Sequence, residues 1–195
     1  CVGMSPAIVG RFRYSGDRGA EVGVKPASLV RLYDDLMAAG SDFDIRPFGS
    51  RALNALRLEK NYGSWGREYR PLYGPVEVGL DRFVAYDKPA DFIGKKAALA
   101  ERDSGGSKRL ISLAVAAVDA DVIGDEPVSI DGAVVGWVTS GGFAHASKTS
   151  VALAMVPKEF ALQNDGWTVE LLGQSLKAGL INEPLFDANV SRMRS

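Results

Sequence analysis

The sequence predicts an α+β chain: a mixed lobe of one hairpin and several helices, followed by an all-β carboxy-terminal part. Three observations predict it. Helical periodicity occurs before residue 105 and not after it, six strand-like runs crowd the remainder, and the flexible stretch "DSGGSK" lies at the change. We therefore divide the chain into residues 1–105 and 106–195.

In the first part, β-prone runs from Ile8 to Tyr14 and from Ala20 to Val24 flank "SGDRG". Its glycines, Gly16 and Gly19, suit a tight reversal, so the pair reads as a β-hairpin. Pro26 and Ser28 open a helix in which Leu29, Leu32, Tyr33 and Leu36 recur at helical spacing, forming one core face, and Gly40 is expected as a left-handed stop. "FDIRPFGS" reads as a short strand into a turn, with Ser50 capping a second helix that carries Leu53, Leu56 and the triplet Arg57-Leu58-Glu59. "VEVGLDRFVAYD" alternates like a strand, and Asp91 is the expected cap of a third helix, "FIGKKAALAER".

In the second part the runs are "KRLISLAVAAV", "EPVSI", "AVVGWVTS", "SVALAMV", "WTVELL" and "SLKAGLI". Asp131-Gly132 between two of them is a strong two-residue hairpin signal, and Gly173-Gln174 is a weaker one. About six strands with short turns make a barrel or a sandwich.

Composition excludes several function classes. The 195 residues hold 23 basic and 24 acidic side chains without a long basic run, so no electrostatic footprint for nucleic acid is present. No apolar run reaches the roughly 18 residues that span a bilayer, and no basic-then-apolar leader opens the sequence. Cys1 and His145 are the single cysteine and histidine, too sparse for an internal disulfide, a zinc site or a Cys/His dyad. Such usage fits a reducing, cytoplasmic setting. The Cys-Val-Gly opening lacks an initiator methionine and is expected to belong to a piece of a longer protein.

Several motifs then occur in order: "RYSGDRGAEVGV", "ALNALRLEKNYGSWGREYRP", "EVGLDRFV", "KPADFIGKKAAL" and "GWVTSGG". Together they resemble the glycine cleavage T protein family, the tetrahydrofolate-dependent aminomethyltransferases, whose hairpin reads Tyr-x-Gly-Glu-x-Gly-x-Glu. The wording is most similar to the folate domain at the carboxy-terminal end of dimethylglycine and sarcosine dehydrogenases. Leu53 and Asn54 stand where the T proteins proper have Arg-Asp, which counts against a glycine cleavage enzyme.

The resemblance implies part of a three-lobed aminomethyltransferase fold, ending in a barrel, that binds tetrahydrofolate and forms methylenetetrahydrofolate from a small N-methylated amine. It implies that Glu21 accepts the paired N–H donors of the pterin, a charge-assisted bidentate contact. Tyr14, Tyr62 and Trp65 fall on aromatic positions beside the folate channel, and Arg192 or Arg194 would meet the glutamyl tail. On residue chemistry alone, Glu21 reads first as a solvated strand carboxylate paired with Arg11 or Arg13 and Tyr14 as a core aromatic, while Tyr62 and Trp65 read as well for loop packing onto the barrel as for a ligand wall.

Arg57 and Glu59, two apart on a helix, are given structural roles, and His145 no catalytic one. The family's catalytic aspartate lies upstream of the hairpin, so no catalytic residue is expected here, and this piece alone should not catalyse. FAD would belong only to an upstream domain, since no Gly-x-Gly-x-x-Gly fingerprint occurs. The alternatives are a non-catalytic folate-binding protein and a stand-alone folate-dependent demethylase acting on another methyl donor.

Overall fold

The computed structural model describes residues 6–194, and for residues 193 and 194 the backbone alone. Cys1 and the side chain of Arg194 therefore lie outside the described residues. The chain folds as a loosely packed α+β part followed by a closed six-stranded antiparallel barrel.

The amino-terminal hairpin joins β1 (Ile8–Phe12) to β2 (Gly19–Gly23), with Gly10 opposite Glu21. Gly16 carries the reversal at φ +86°, and a Cβ there would lie 2.5 Å from Lys60 Cγ, so the turn needs glycine for both conformation and space. Helix α1 (Leu29–Ala39) follows, and of its predicted core face Leu32 alone is buried, while Leu29, Tyr33 and Leu36 are exposed. Periodicity marks which residues share a face; it does not supply the surface that covers it.

Gly40 is right-handed, not a left-handed stop; the left-handed residue is Asp44 at φ 55°. The expected strand in "FDIRPFGS" is a 3-10 turn over Ser41–Phe43 and then irregular chain, with Pro47 removing a backbone donor.

Helix α2 (Ser50–Glu59) has Gly49 at its cap position, so Ser50 is the first helical residue and not the cap. "VEVGLDRFVAYD" is likewise no strand. Turns and the 3-10 helix Asp81–Phe83 replace it: Glu77 meets β3 through its carboxylate at Lys108 N and through its carbonyl at Leu110 N (2.7 Å), contacts that build no strand ladder. Helix α3 (Lys95–Ser104) starts after Gly94, and Asp91 bonds only the adjacent Phe92 N–H at 2.9 Å.

The barrel strands are β3 (Lys108–Val115), β4 (Pro127–Ile130), β5 (Ala133–Ala144), β6 (Thr149–Pro157), β7 (Trp167–Leu171) and β8 (Gln174–Leu180). They close in the order β3-β6-β5-β4-β7-β8, so the barrel, not the sandwich, is the outcome. Asp131 (φ 49°) and Gly132 (φ 83°) make the predicted tight turn, and the second turn falls one residue early, on Leu172-Gly173.

Ile111, Leu113, Val128, Val138, Val156 and Val169 point inward with Trp167, whose Nε1 donates to Gln163 O at 2.7 Å. Strand β6 is buried on both faces. Ala152 and Ala154 line the barrel interior, while Val151 and Leu153 face outward onto Leu58 of α2. That double burial explains its unbroken apolar run and seats α2 on the barrel.

Candidate functional site

The segment from Arg57 to Tyr69 forms a wall standing on the barrel, held by buried charge. Asn54 Nδ2 donates to Gly141 O at 3.1 Å, and its Oδ1 accepts from Arg57 Nε and Nη2 at 3.0 and 2.7 Å. Arg57 Nη1 donates to Tyr62 O at 3.0 Å and to Glu68 Oε2 at 3.4 Å. Glu68, completely buried, also accepts from Ser64 N at 2.7 Å and from the Ser140 hydroxyl at 2.5 Å.

A buried ion pair is tolerable when hydrogen bonds satisfy its remaining lone pairs and protons, and here they do so from three chain segments. Ser140 reaches Glu68 because the β5–β6 register shifts between Val138 and Ser140, leaving Val138 inside the barrel while Ser140 turns out. Neither Glu68 nor Ser140 stood out in the sequence. Their signal was a carboxylate inside the glycine- and aromatic-rich "NYGSWGREYRP", legible only with its partner 72 residues away.

The neighbouring charges of α2 are structural as well. Glu59 Oε1 accepts from Ala146 N at 2.8 Å and fixes the β5–β6 turn. Lys60 Nζ donates to Asp187 O at 2.7 Å, anchoring the carboxy-terminal segment. The Ser191 hydroxyl is the largest cause holding the Asp187 carboxyl below its ordinary range; the N–H groups of Ser191 and Arg192 and the Lys60 charge add to it.

Two concavities lie against this wall. A groove of about 350 Å³ is lined by Tyr14, Leu53, Asn54, Arg57, Arg67 and Gly141. It shares Ser50, Asn54, Ile123 and Gly141 with a larger hollow of about 820 Å³ that reaches Arg51 and His145. His145 is exposed there and meets the Phe143 ring edge-on at 5.2 Å. A separate cavity of about 700 Å³ is lined by Tyr62, Tyr69, residues 76–82 and the outer face of β3.

The Gly63 peptide is held between two phenols. The Tyr14 hydroxyl donates to Gly63 O at 3.3 Å, and Gly63 N donates to the Tyr69 oxygen at 2.9 Å. A Cβ at Gly63 would strike Glu68 Cβ and the Tyr69 ring at 2.7 Å, so the wall closes only over glycine. Burial is the main cause raising the pKa of both phenols. They are neutral hydroxyls at neutral pH.

The structure places the five expected ligand residues in different surroundings. Tyr14 lines the groove and Tyr62 the cavity. Trp65, between the groove residues Ser64 and Arg67 in sequence, is 81% exposed. Glu21 is exposed on β2 and lies in none of the three concavities described. Arg192 is exposed, 3.5 Å from Asp17 of the hairpin turn, with its guanidinium over Phe186.

Residues 1–88 match the GCVT N-terminal domain, and residues 108–187 match the glycine cleavage T-protein C-terminal barrel domain. The chain belongs to the glycine cleavage T-protein family. It is 40% identical over 97% of its length to the mitochondrial dimethylglycine dehydrogenases of Mus musculus and Homo sapiens, of which it covers 22%. It is 30% identical over 94% of its length to an aminomethyltransferase of Symbiobacterium thermophilum, of which it covers 49%. The chain thus spans from about a fifth to about half the length of these relatives.

The solved aminomethyltransferase T of the glycine cleavage system from Bartonella henselae superposes with a TM-score of 0.81 over 92% of this chain and 50% of its own, at 24% identity. That likeness concerns the fold. No helix among the described residues is long and apolar enough to cross a membrane.

Proposed function

We propose that this T-protein-family chain is the carboxy-terminal part of a tetrahydrofolate-dependent one-carbon transferase, the folate domain of a dimethylglycine or sarcosine dehydrogenase-like enzyme that forms 5,10-methylenetetrahydrofolate. The observation that carries the reading is the pair of T-protein-family matches over residues 1–88 and 108–187, in the family's order. Identity of 40% to dimethylglycine dehydrogenases against 30% to an aminomethyltransferase favours the dehydrogenase branch.

The residues present suit a flat, polar-edged ligand. The groove offers the half-buried Tyr14 phenol and the Arg67 guanidinium, groups that stack on and hydrogen-bond to a ring system. Tetrahydrofolate supplies the ring nitrogens that take up the one-carbon unit. On this reading Tyr14 and Trp65 flank the ring, Tyr62 backs the wall, and Arg192 meets the glutamyl tail. Because Glu21 is exposed on this chain, its carboxylate meets the pterin edge only within the intact parent, where upstream residues supply the catalytic group and any FAD site. The substrate is then a small N-methylated amine.

A cytoplasmic setting rests on cysteine usage alone, whereas the animal relatives carry "mitochondrial" in their names.

Calorimetric titration of the intact parent with tetrahydrofolate tests the reading. Glu21→Gln is expected to weaken binding by about 1–3 kcal/mol, the range for a hydrogen bond to a charged group. Unchanged affinity removes Glu21 from the site, and no folate binding by the unaltered parent removes the function.

A further inference from the structure

We propose that the cavity behind the wall, between residues 76–82 and the outer face of β3, is a second ligand site that takes a small organic ammonium ion with an apolar body. The proposal is independent of the folate reading: of the residues given to folate above, Tyr62 also lines this cavity, and the contacts argued here come from other residues.

Two buried oxygens on this cavity's lining have no hydrogen-bond partner among the described residues: Asn61 Oδ1 and Ser112 Oγ. Ser112 is 5% exposed and sits on the outward face of β3, whose alternate residues Ile111 and Leu113 fill the barrel. Asn61 follows α2 with φ 55°, a left-handed conformation that asparagine tolerates better than most residues. More than nine in ten buried polar groups in folded proteins find a partner, protein or ordered water, so two orphans on one cavity wall mark a binding place; the Asn61 oxygen can only accept and the Ser112 hydroxyl can accept, so both are met by a molecule that donates.

The other polar groups of the lining show which charge that donor carries. Lys60 is occupied by Asp187, and Arg109 by the carbonyls of Val76 and Lys108. Glu77 accepts from Ser107, Lys108 and Gly74, and Arg82 lies over the Phe83 ring at 4.9 Å. On the acceptor side there remain the two orphan oxygens and the half-buried Asp81 carboxylate, which makes no hydrogen bond or ion pair among the described residues; on the donor side, the exposed Arg82 guanidinium and the Tyr69 hydroxyl complete the lining. An ammonium group donates up to three hydrogen bonds and accepts none, matching that acceptor set, while Val78, Leu110, Leu153 and Leu180 offer apolar surface to its body.

Protein-observed NMR on the full chain, with benzylamine as probe and phenylacetate as the same body of opposite charge, tests this. Benzylamine is expected to shift the Asn61 side-chain amide and the Ser112 backbone amide saturably at about 1–10 mM, the range for so small a ligand. Phenylacetate should leave both in place. Asp81→Asn should raise the benzylamine Kd about tenfold or more, the scale of a lost charge-assisted bond.

Ser112→Ala should weaken binding while the melting temperature holds or rises, because the substitution removes a buried orphan. Four outcomes overturn the proposal: no saturable shift, equal response to phenylacetate, an unchanged Kd in Asp81→Asn, or a crystal soaked in benzylamine with water alone on both oxygens.

Discussion

In the barrel, Leu113, Val128, Val138 and Val169 are fully buried; in the hairpin and the segment around α1, Ile8, Val9, Phe12, Val30 and Phe43 are each more than half exposed. The two regions draw on the same residue types and reach opposite states. Burying such a side chain completely is worth about 1.5–3 kcal/mol, so the barrel with α2 holds the chain's stability and residues 8–48 add little of their own. Apolar content is therefore a poor measure of where a protein is held together; closure of a surface around that content is the better one. The wall from Arg57 to Tyr69 lies between the extremes, fastened by buried polar contacts and by Leu58.

The contrast can be broken most severely at the fastening. Glu68→Ala strands the Arg57 charge beside the unpaired Ser140 and Ser64 donors and is expected to cost about 3–5 kcal/mol, seen as a lower urea midpoint. A loss below about 1 kcal/mol would mean that the wall is not anchored through this pair.

Matched truncations sharpen it next. Leu153→Ala, at the α2–barrel contact, should cost about 2–5 kcal/mol, whereas Val30→Ala on the exposed face of α1 should stay within about 0.5 kcal/mol. Equal losses in the same denaturation series would erase the distinction between the regions.

The smallest effect concerns Glu77, which ties the turns that follow the wall to the start of β3. Burial alone would raise its pKa, but the Ser107 N–H and hydroxyl and the N–H groups of Gly74 and Lys108 together hold it below the ordinary value of 4.5. The stabilisation is therefore fully present above that pH and lost as pH falls through the lower folded value. Urea midpoints between pH 3 and 6 should fall more steeply for the unaltered chain than for Glu77→Gln, and parallel curves would refute the linkage.

Legibility followed the same division. Every barrel strand was readable, because a strand buried on one or both faces writes alternation or a continuous apolar run into its residues, and Asp131-Gly132 named its own turn. The strands expected in "FDIRPFGS" and "VEVGLDRFVAYD" failed because β-prone composition needs a pairing neighbour that neither segment has among the described residues.

Tyr14 lines the groove and Tyr62 the separate cavity, a division that spacing along the chain does not encode. Glu68, Ser140 and Asn54 were opaque for the same reason: each is meaningful only through a partner brought close by folding.

Because the barrel is a complete ring, none of its six strands ends in a free rim of amide and carbonyl groups. The β1–β2 ribbon has two such rims among the described residues, bordered by Ile8, Val9 and Phe12. Extended, and guarded by a single charge on each strand, Arg11 and Glu21, it is where this chain, kept at high concentration, would stack into fibrous aggregates first, and lysines grafted along those rims are the remedy that natural sheets employ.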